Sequence, residues 1–242
     1  PHMHGLSLHY YTVPGEWNAK GAATGFDESA WFSTLSKCLR MEELIRRHST
    51  IMDRYDPDKK VALIVDEWGT WFDGEPGTNP AFLYQQNTMR DALVAALTLN
   101  IFNTYCERVQ IANLAQMVNV LQALILTDGA SMITTPTFHV FDLYQAHQEA
   151  LLLPCFLNSD MYSYGGRQIP QVSASASRTN ESILLTVCNV DPQKEAEISC
   201  EVHGVRVTEI TGTLLTAEEM DAHNTFQDPE RVKPTPLKEI PF

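Results

Sequence analysis

Up to about residue 155 the apolar positions fall into two alternating textures, short continuous runs and long stretches at helical spacing. The continuous runs predict strands at Gly5–Tyr11, Val61–Asp66 and Val109–Asn113. The second stops abruptly on Asp66, Glu67, Trp68 and Gly69, as a strand buried on both faces of a parallel sheet does when it reaches a loop. Helical spacing predicts a helix from about Trp31 to Tyr55 (Leu35, Cys38, Leu39, Leu44, Ile45), ended by Asp56-Pro57-Asp58. A second runs from about Pro80 to Tyr105 (Leu93, Val94, Leu97, Ile101), and a third from about His139 to Leu151. Strand followed by helix, three times over, is the pattern of consecutive βα units.

Past Pro154 the texture changes to shorter segments alternating at period two. Residues 171–177 and parts of 183–189, 197–202 and 205–211 read as strands of an antiparallel domain, and 223–242 as a long loop. The predicted organisation is therefore an α/β part over 1–155 and an all-β part over 156–242, with Leu151–Pro154 packing at their junction. Three parallel strands cannot close into a barrel and leave two open edges. The chain is accordingly expected to be a carboxyl-terminal portion of something longer, contributing three βα units to a TIM (β/α)8 barrel.

The 242 residues, 44% hydrophobic and 19% charged, suffice for a substantial core. A formal net charge of −13 disfavours binding to nucleic acid or anionic lipid, since both require a basic surface. No apolar run reaches the roughly 18 residues that span a bilayer. Cys38, Cys106, Cys155, Cys188 and Cys200 are scattered and odd in number, which suits buried free thiols in a reducing, cytoplasmic setting. Asn180-Glu181-Ser182 matches a glycosylation sequon, a triplet that matters only in a secreted chain.

Parallel sheets carry their chemistry at the carboxyl ends of the strands. Those ends supply His9, Tyr10 and Tyr11; then Glu67, Trp68 and Trp71; then Asn113, Gln116 and Asn119. Carboxylate, imidazole, phenol, amide and indole together suit a carbohydrate: aromatic faces cover the sugar ring while polar groups bond its hydroxyls. Hydrolysis of a glycoside needs two carboxyl groups, and Glu67 alone stands out. The plainer reading makes Asp66 and Glu67 a solvated strand end and His9 a satisfied core histidine. Tyr10, alternating with its neighbours, is expected to point away from the mouth. His139 and His147 fall on a helix and read as structural. His2, His4 and His9 do not make a convincing metal site, and no metal or cofactor is expected.

Four segments carry a family resemblance: 6–11 (LSLHYY), 66–71 (DEWGTW), 113–119 (NLAQMVN) and 135–141 (TPTFHVF), with a fifth at 224–232. In order and spacing they resemble the α-L-arabinofuranosidases of glycoside hydrolase family 51. The resemblance implies a (β/α)8 barrel joined to a β-sandwich, retaining cleavage of terminal arabinofuranosyl groups from arabinose-containing oligosaccharides, no metal, and a homo-oligomer, a hexamer, for the intact enzyme. It implies that Glu67 is the nucleophile, that Tyr11 orients it, that His9 and Tyr11 line the site, that Trp71 walls the sugar and that Gln116 reaches a hydroxyl. Trp68 is expected beneath the site. The family's acid/base glutamate, in an Asn-Glu pair at an earlier strand end, has no counterpart here, because Asn180-Glu181 falls in a turn of the β-domain. The chain by itself is thus expected to be inactive. The alternative is a non-catalytic carbohydrate-binding or assembly module.

Overall fold

The computed structural model describes residues 3–237, so His2 and the last five residues of the predicted tail loop lie outside it. Three strands, β1 (Gly5–Thr12), β2 (Ala62–Thr70) and β3 (Val109–Leu114), form a parallel sheet in that order. The connections are α1 (Glu28–Cys38) with α2 (Arg40–Asp53), and then α3 (Met89–Thr104).

The single helix expected from Trp31 to Tyr55 is two. Its apolar stripe runs on unbroken through Trp31, Leu35, Cys38, Met41, Ile45 and Met52, but the backbone hydrogen bonding resets at Leu39. Periodicity records the buried face and is blind to such a break. Asp27 starts α1, its carboxylate accepting the Ala30 N–H. The second helix begins at Met89 rather than Pro80. Thr88 and Asp91 form a reciprocal capping box there, while residues 80–82 make only a short 3₁₀ turn.

A hairpin that periodicity had not revealed, β4 (Ile125–Asp128) with β5 (Ser131–Thr134), follows β3. Next comes α4 (Pro136–Tyr144), capped by Thr135 and shorter than the expected helix, with His147 in a 3₁₀ turn beyond it. Leu151–Leu153 is not mere junction packing. It is β6, antiparallel to β9 (Val172–Arg178), which also pairs with β10 (Ile183–Asn189). Between them lies the hairpin of β7 (Met161–Tyr164) and β8 (Arg167–Pro170); β11 (Thr213–Leu214) pairs with β12 (Thr235–Pro236) inside the predicted tail loop.

The strands expected at 197–202 and 205–211 do not form. Ile198, Val202, Val205, Val207 and Ile210 all stay exposed. Alternation describes a surface, but a strand also needs a partner for its backbone donors and acceptors, and these segments find none among the described residues. The cysteine expectation also needs correction: Cys38 and Cys188 are buried, whereas Cys106, Cys155 and Cys200 are exposed.

One core runs through both textures. α3 is buried almost all round, between the parallel sheet and the β9–β10 pair, and Trp31 and Phe32 of α1 belong to the same cluster as Tyr162, Ile169 and Val190. The Trp31 indole donates to the Val190 carbonyl at 2.9 Å, and the Tyr162 hydroxyl donates to Glu28 at 2.9 Å. The other face of the parallel sheet, which carries Ser7, Ile64 and Ile111, is open, with Ile111 49% exposed. Among the described residues no helix is long and apolar enough to cross a membrane.

Candidate functional site

The site lies at the carboxyl ends of β1 and β2, where the two strands change register. Ser7 sits beside Ile64 but His9 beside Glu67, so two residues of β1 span three of β2. The extra residue is a bulge, and bulges re-aim side chains. In a regular strand Asp66 and Glu67 would face opposite sides of the sheet. Here both carboxylates meet the His9 imidazole, Asp66 Oδ1 lying 3.1 Å from Nε2 and Glu67 Oε2 lying 3.4 Å from Nδ1.

Two hydroxyls complete the cluster. Tyr11 donates to Glu67 Oε2 at 3.0 Å, and Ser7 donates to Asp66 Oδ1 at 2.6 Å. Partial burial and the Glu67 carboxylate push the Tyr11 phenol up to about 12, so it keeps its proton near neutrality. The Ser7 hydroxyl, with a smaller contribution from His9, holds the Asp66 carboxyl below the usual range. Asp66 is therefore ionised and cannot serve as an acid. Both contacts to Glu67 fall on Oε2, which leaves Oε1 without a contact among the described residues.

Trp71 stands just past β2, its ring 5.1 Å from that of Tyr11 and edge-to-face with it. Trp17, from the β1–α1 loop, packs the same way against Trp71 at 5.2 Å, and the Lys20 ammonium lies over both indoles. The loop is held there by Asp73, whose carboxylate accepts the Gly21 N–H at 3.0 Å. Trp17 and Lys20 were not singled out from sequence.

Trp68, on the opposite face of β2 from Glu67, is 1% exposed and packs between Phe102 and Phe141 beneath the site. At the strand end, the Thr70 N–H donates to Gln122 and the Thr70 hydroxyl to the buried Asp91. Asp91 is the capping residue of α3, so the start of that helix and the site-bearing strand are fixed together. The spacing Thr88-x-x-Asp91 is a capping signal in the sequence that the reading by helical periodicity passed over. Tyr10 points away from the cluster, as alternation requires, and donates to the Lys37 carbonyl at 2.7 Å.

His9, Tyr11, Glu67 and Trp71 thus converge. Gln116 follows directly on the backbone bond from the Ala115 N–H to the Trp68 carbonyl, exposed and with no side-chain hydrogen bond among the described residues. Asn119 is spent on the fold, its amide accepting from the Thr127 N–H at 2.7 Å and donating to the Thr127 hydroxyl at 2.8 Å. His147 likewise bridges Ser177 and Thr186. Among the described residues no group of three His, Cys, Asp or Glu side chains is arranged to hold a metal. The cluster offers one carboxylate with a free oxygen beside an aromatic wall, and no second carboxyl group poised as an acid.

The model of the alpha-L-arabinofuranosidase C-terminal domain matches residues 66–241. An intracellular exo-alpha-L-arabinofuranosidase of Bacteroides ovatus is 46% identical over 240 residues, covering 98% of this chain and 47% of the relative. An intracellular exo-alpha-(1->5)-L-arabinofuranosidase of Streptomyces lividans is 24% identical, covering 96% and 36%. Among solved structures, the family 51 arabinofuranosidase of Xanthomonas axonopodis pv. citri superposes with a TM-score of 0.96 at 51% identity, covering 98% of this chain and 48% of that one. The chain therefore spans about half the length of the relatives it matches. With the cluster at the β1 and β2 ends and these matches together, the chain belongs to the family 51 α-L-arabinofuranosidases, as their carboxyl-terminal portion.

Proposed function

We propose that this chain carries the nucleophile half of a retaining, exo-acting α-L-arabinofuranosidase. The observation that carries the reading is the Tyr11–Glu67–His9 cluster, which holds one carboxylate oxygen and leaves the other free. Glu67 Oε1 attacks the anomeric carbon of a terminal arabinofuranosyl group, and the bond to the leaving oxygen breaks as that oxygen takes a proton. Water then cleaves the arabinosyl–Glu67 ester, so two inversions give net retention. The proton donor is a glutamate outside this chain. Trp71 covers the ring and Gln116 reaches a hydroxyl once the remainder of the pocket surrounds them.

The three consecutive parallel strands, backed by helices on one face and open on the other, support residues 1–155 as the last three βα units of a (β/α)8 barrel. Residues 156–242 then belong to a β-sandwich packed against it. The names of the Bacteroides and Streptomyces relatives support an intracellular exo-acting arabinofuranosidase; arabinose-containing oligosaccharides are the substrates proposed for it. A homo-oligomer, a hexamer, is expected of the whole protein.

The test uses the full-length protein and an aryl α-L-arabinofuranoside. Wild type turns over, Glu67→Ala does not, and a 2-fluoro arabinofuranosyl inactivator leaves its mass on the peptide containing Glu67. Label elsewhere, or undiminished turnover by Glu67→Ala, overturns the assignment. The chain expressed alone is expected to show no turnover, since a general acid contributes roughly 10²- to 10⁴-fold and is missing. Arabinoside binding without turnover by the full-length protein would favour a non-catalytic binding module instead.

A further inference from the structure

We infer that Asp66 is a positioning residue for Glu67, acting through His9: it fixes the imidazole so that Nδ1 faces the carboxylate oxygen that does not attack. This rests on the assignment of Glu67 as nucleophile. The connection is continuous with the imidazole protonated on both nitrogens: a hydrogen bond from the Ser7 hydroxyl to Asp66 Oδ1 at 2.6 Å, then ion-pair contacts from Oδ1 to His9 Nε2 at 3.1 Å and from His9 Nδ1 to Glu67 Oε2 at 3.4 Å. It exists only because of the bulge, which turns two successive carboxylates toward one ring.

The need for such a device follows from exposure. The side chains of His9, Asp66 and Glu67 are 48%, 40% and 48% exposed, so packing alone does not hold the imidazole. A ring with no partner on Nε2 is free to rotate, and Glu67 then keeps only the Tyr11 bond on Oε2. A carboxylate held by two contacts on one oxygen aims the other, and held by one it swings. Since a 1 Å misplacement of a reacting group can cost about 10²-fold in rate, partial loss of aim should cost roughly 10-fold. Ser7 serves the same line at one remove, by fixing Asp66.

The experiment isolates nucleophilic attack in the full-length enzyme by using 2,4-dinitrophenyl α-L-arabinofuranoside, whose phenolate leaves without needing a proton. Asp66→Ala is expected to lower the rate of glycosyl-enzyme formation about 10-fold with KM within about twofold. Asp66→Asn, which keeps an acceptor oxygen for Nε2, recovers part of the loss, and Ser7→Ala shows a smaller loss in the same direction. In a His9→Ala background, Asp66→Ala adds no further loss, because the group it acts through is gone. A wild-type rate for Asp66→Ala, an equal loss with and without His9, or no recovery by Asp66→Asn each overturns the inference. Should Asp66→Ala fail to fold, the Ser7→Ala and His9→Ala pair gives the same cycle, with an equal Ser7 effect in both backgrounds overturning it. An inactive Glu67→Ala beside a wild-type Asp66→Ala removes the relay alone, whereas an active Glu67→Ala removes the nucleophile assignment first.

Discussion

Replacing Trp68 probes the floor on which the site rests. Its side chain is 1% exposed, stacks near-parallel on Phe141 at 6.0 Å and meets Phe102 edge-on at 5.2 Å. Loss of a buried Trp to Ala costs about 3 to 5 kcal/mol through lost transfer energy and the cavity left behind. Aromatic pairs of this geometry add about 0.5 to 1.5 kcal/mol each. One feature opposes these losses: the indole N–H is buried with no partner among the described residues, so its removal relieves a desolvation cost of about 1 to 3 kcal/mol. Trp68→Ala should therefore destabilise by roughly 4 kcal/mol, near the middle of the range. Trp68→Phe keeps an aromatic partner for both neighbours and discards the orphan donor, so its cost should stay below about 1.5 kcal/mol. Urea unfolding followed by far-ultraviolet circular dichroism measures both without using indole fluorescence. If Trp68→Phe destabilised as much as Trp68→Ala, the N–H would have a partner and the account of the indole as packing alone would be wrong.

Two further predictions follow from the same framework. Gly69 has φ +133°, and a Cβ there would lie 3.1 Å from the Gln122 amide oxygen and 3.2 Å from Leu114, so Gly69→Ala should destabilise by about 2 kcal/mol; an unchanged midpoint in urea would refute the backbone argument. Burial lowers the pKa of His147, which bridges Ser177 and Thr186 in the folded state. The unfolded chain then binds the extra proton first, so this contribution is present above the ordinary histidine range near 6.5 and is lost as pH falls below it. His147→Gln should flatten that loss in a series of thermal melts across pH 5 to 7.5, and an identical pH slope in the variant would sink the idea.

Much of the fold was written locally. Three βα repeats, the change of texture near residue 155, Glu67 at a strand end with Trp68 turned inward, and Tyr10 opposed to Tyr11 all follow from alternation and helical spacing, which state the face each residue presents. The polar strand ends named Glu67, His9, Tyr11 and Trp71 before any coordinates, and these four meet. Pairing, register and breaks depend on residues far away in the chain. The bulge that brings Asp66 beside Glu67 arises between β1 and β2, more than fifty residues apart. The reset at Leu39 interrupts an apolar stripe that stays continuous, and the apolar residues of 197–211 alternate like a strand yet find no strand to pair with among the described residues. Periodicity along a chain can say which side of an element is buried; only the assembled tertiary structure settles what lies against it, because hydrogen-bond partners and strand offsets belong to two segments at once and are recorded in neither alone.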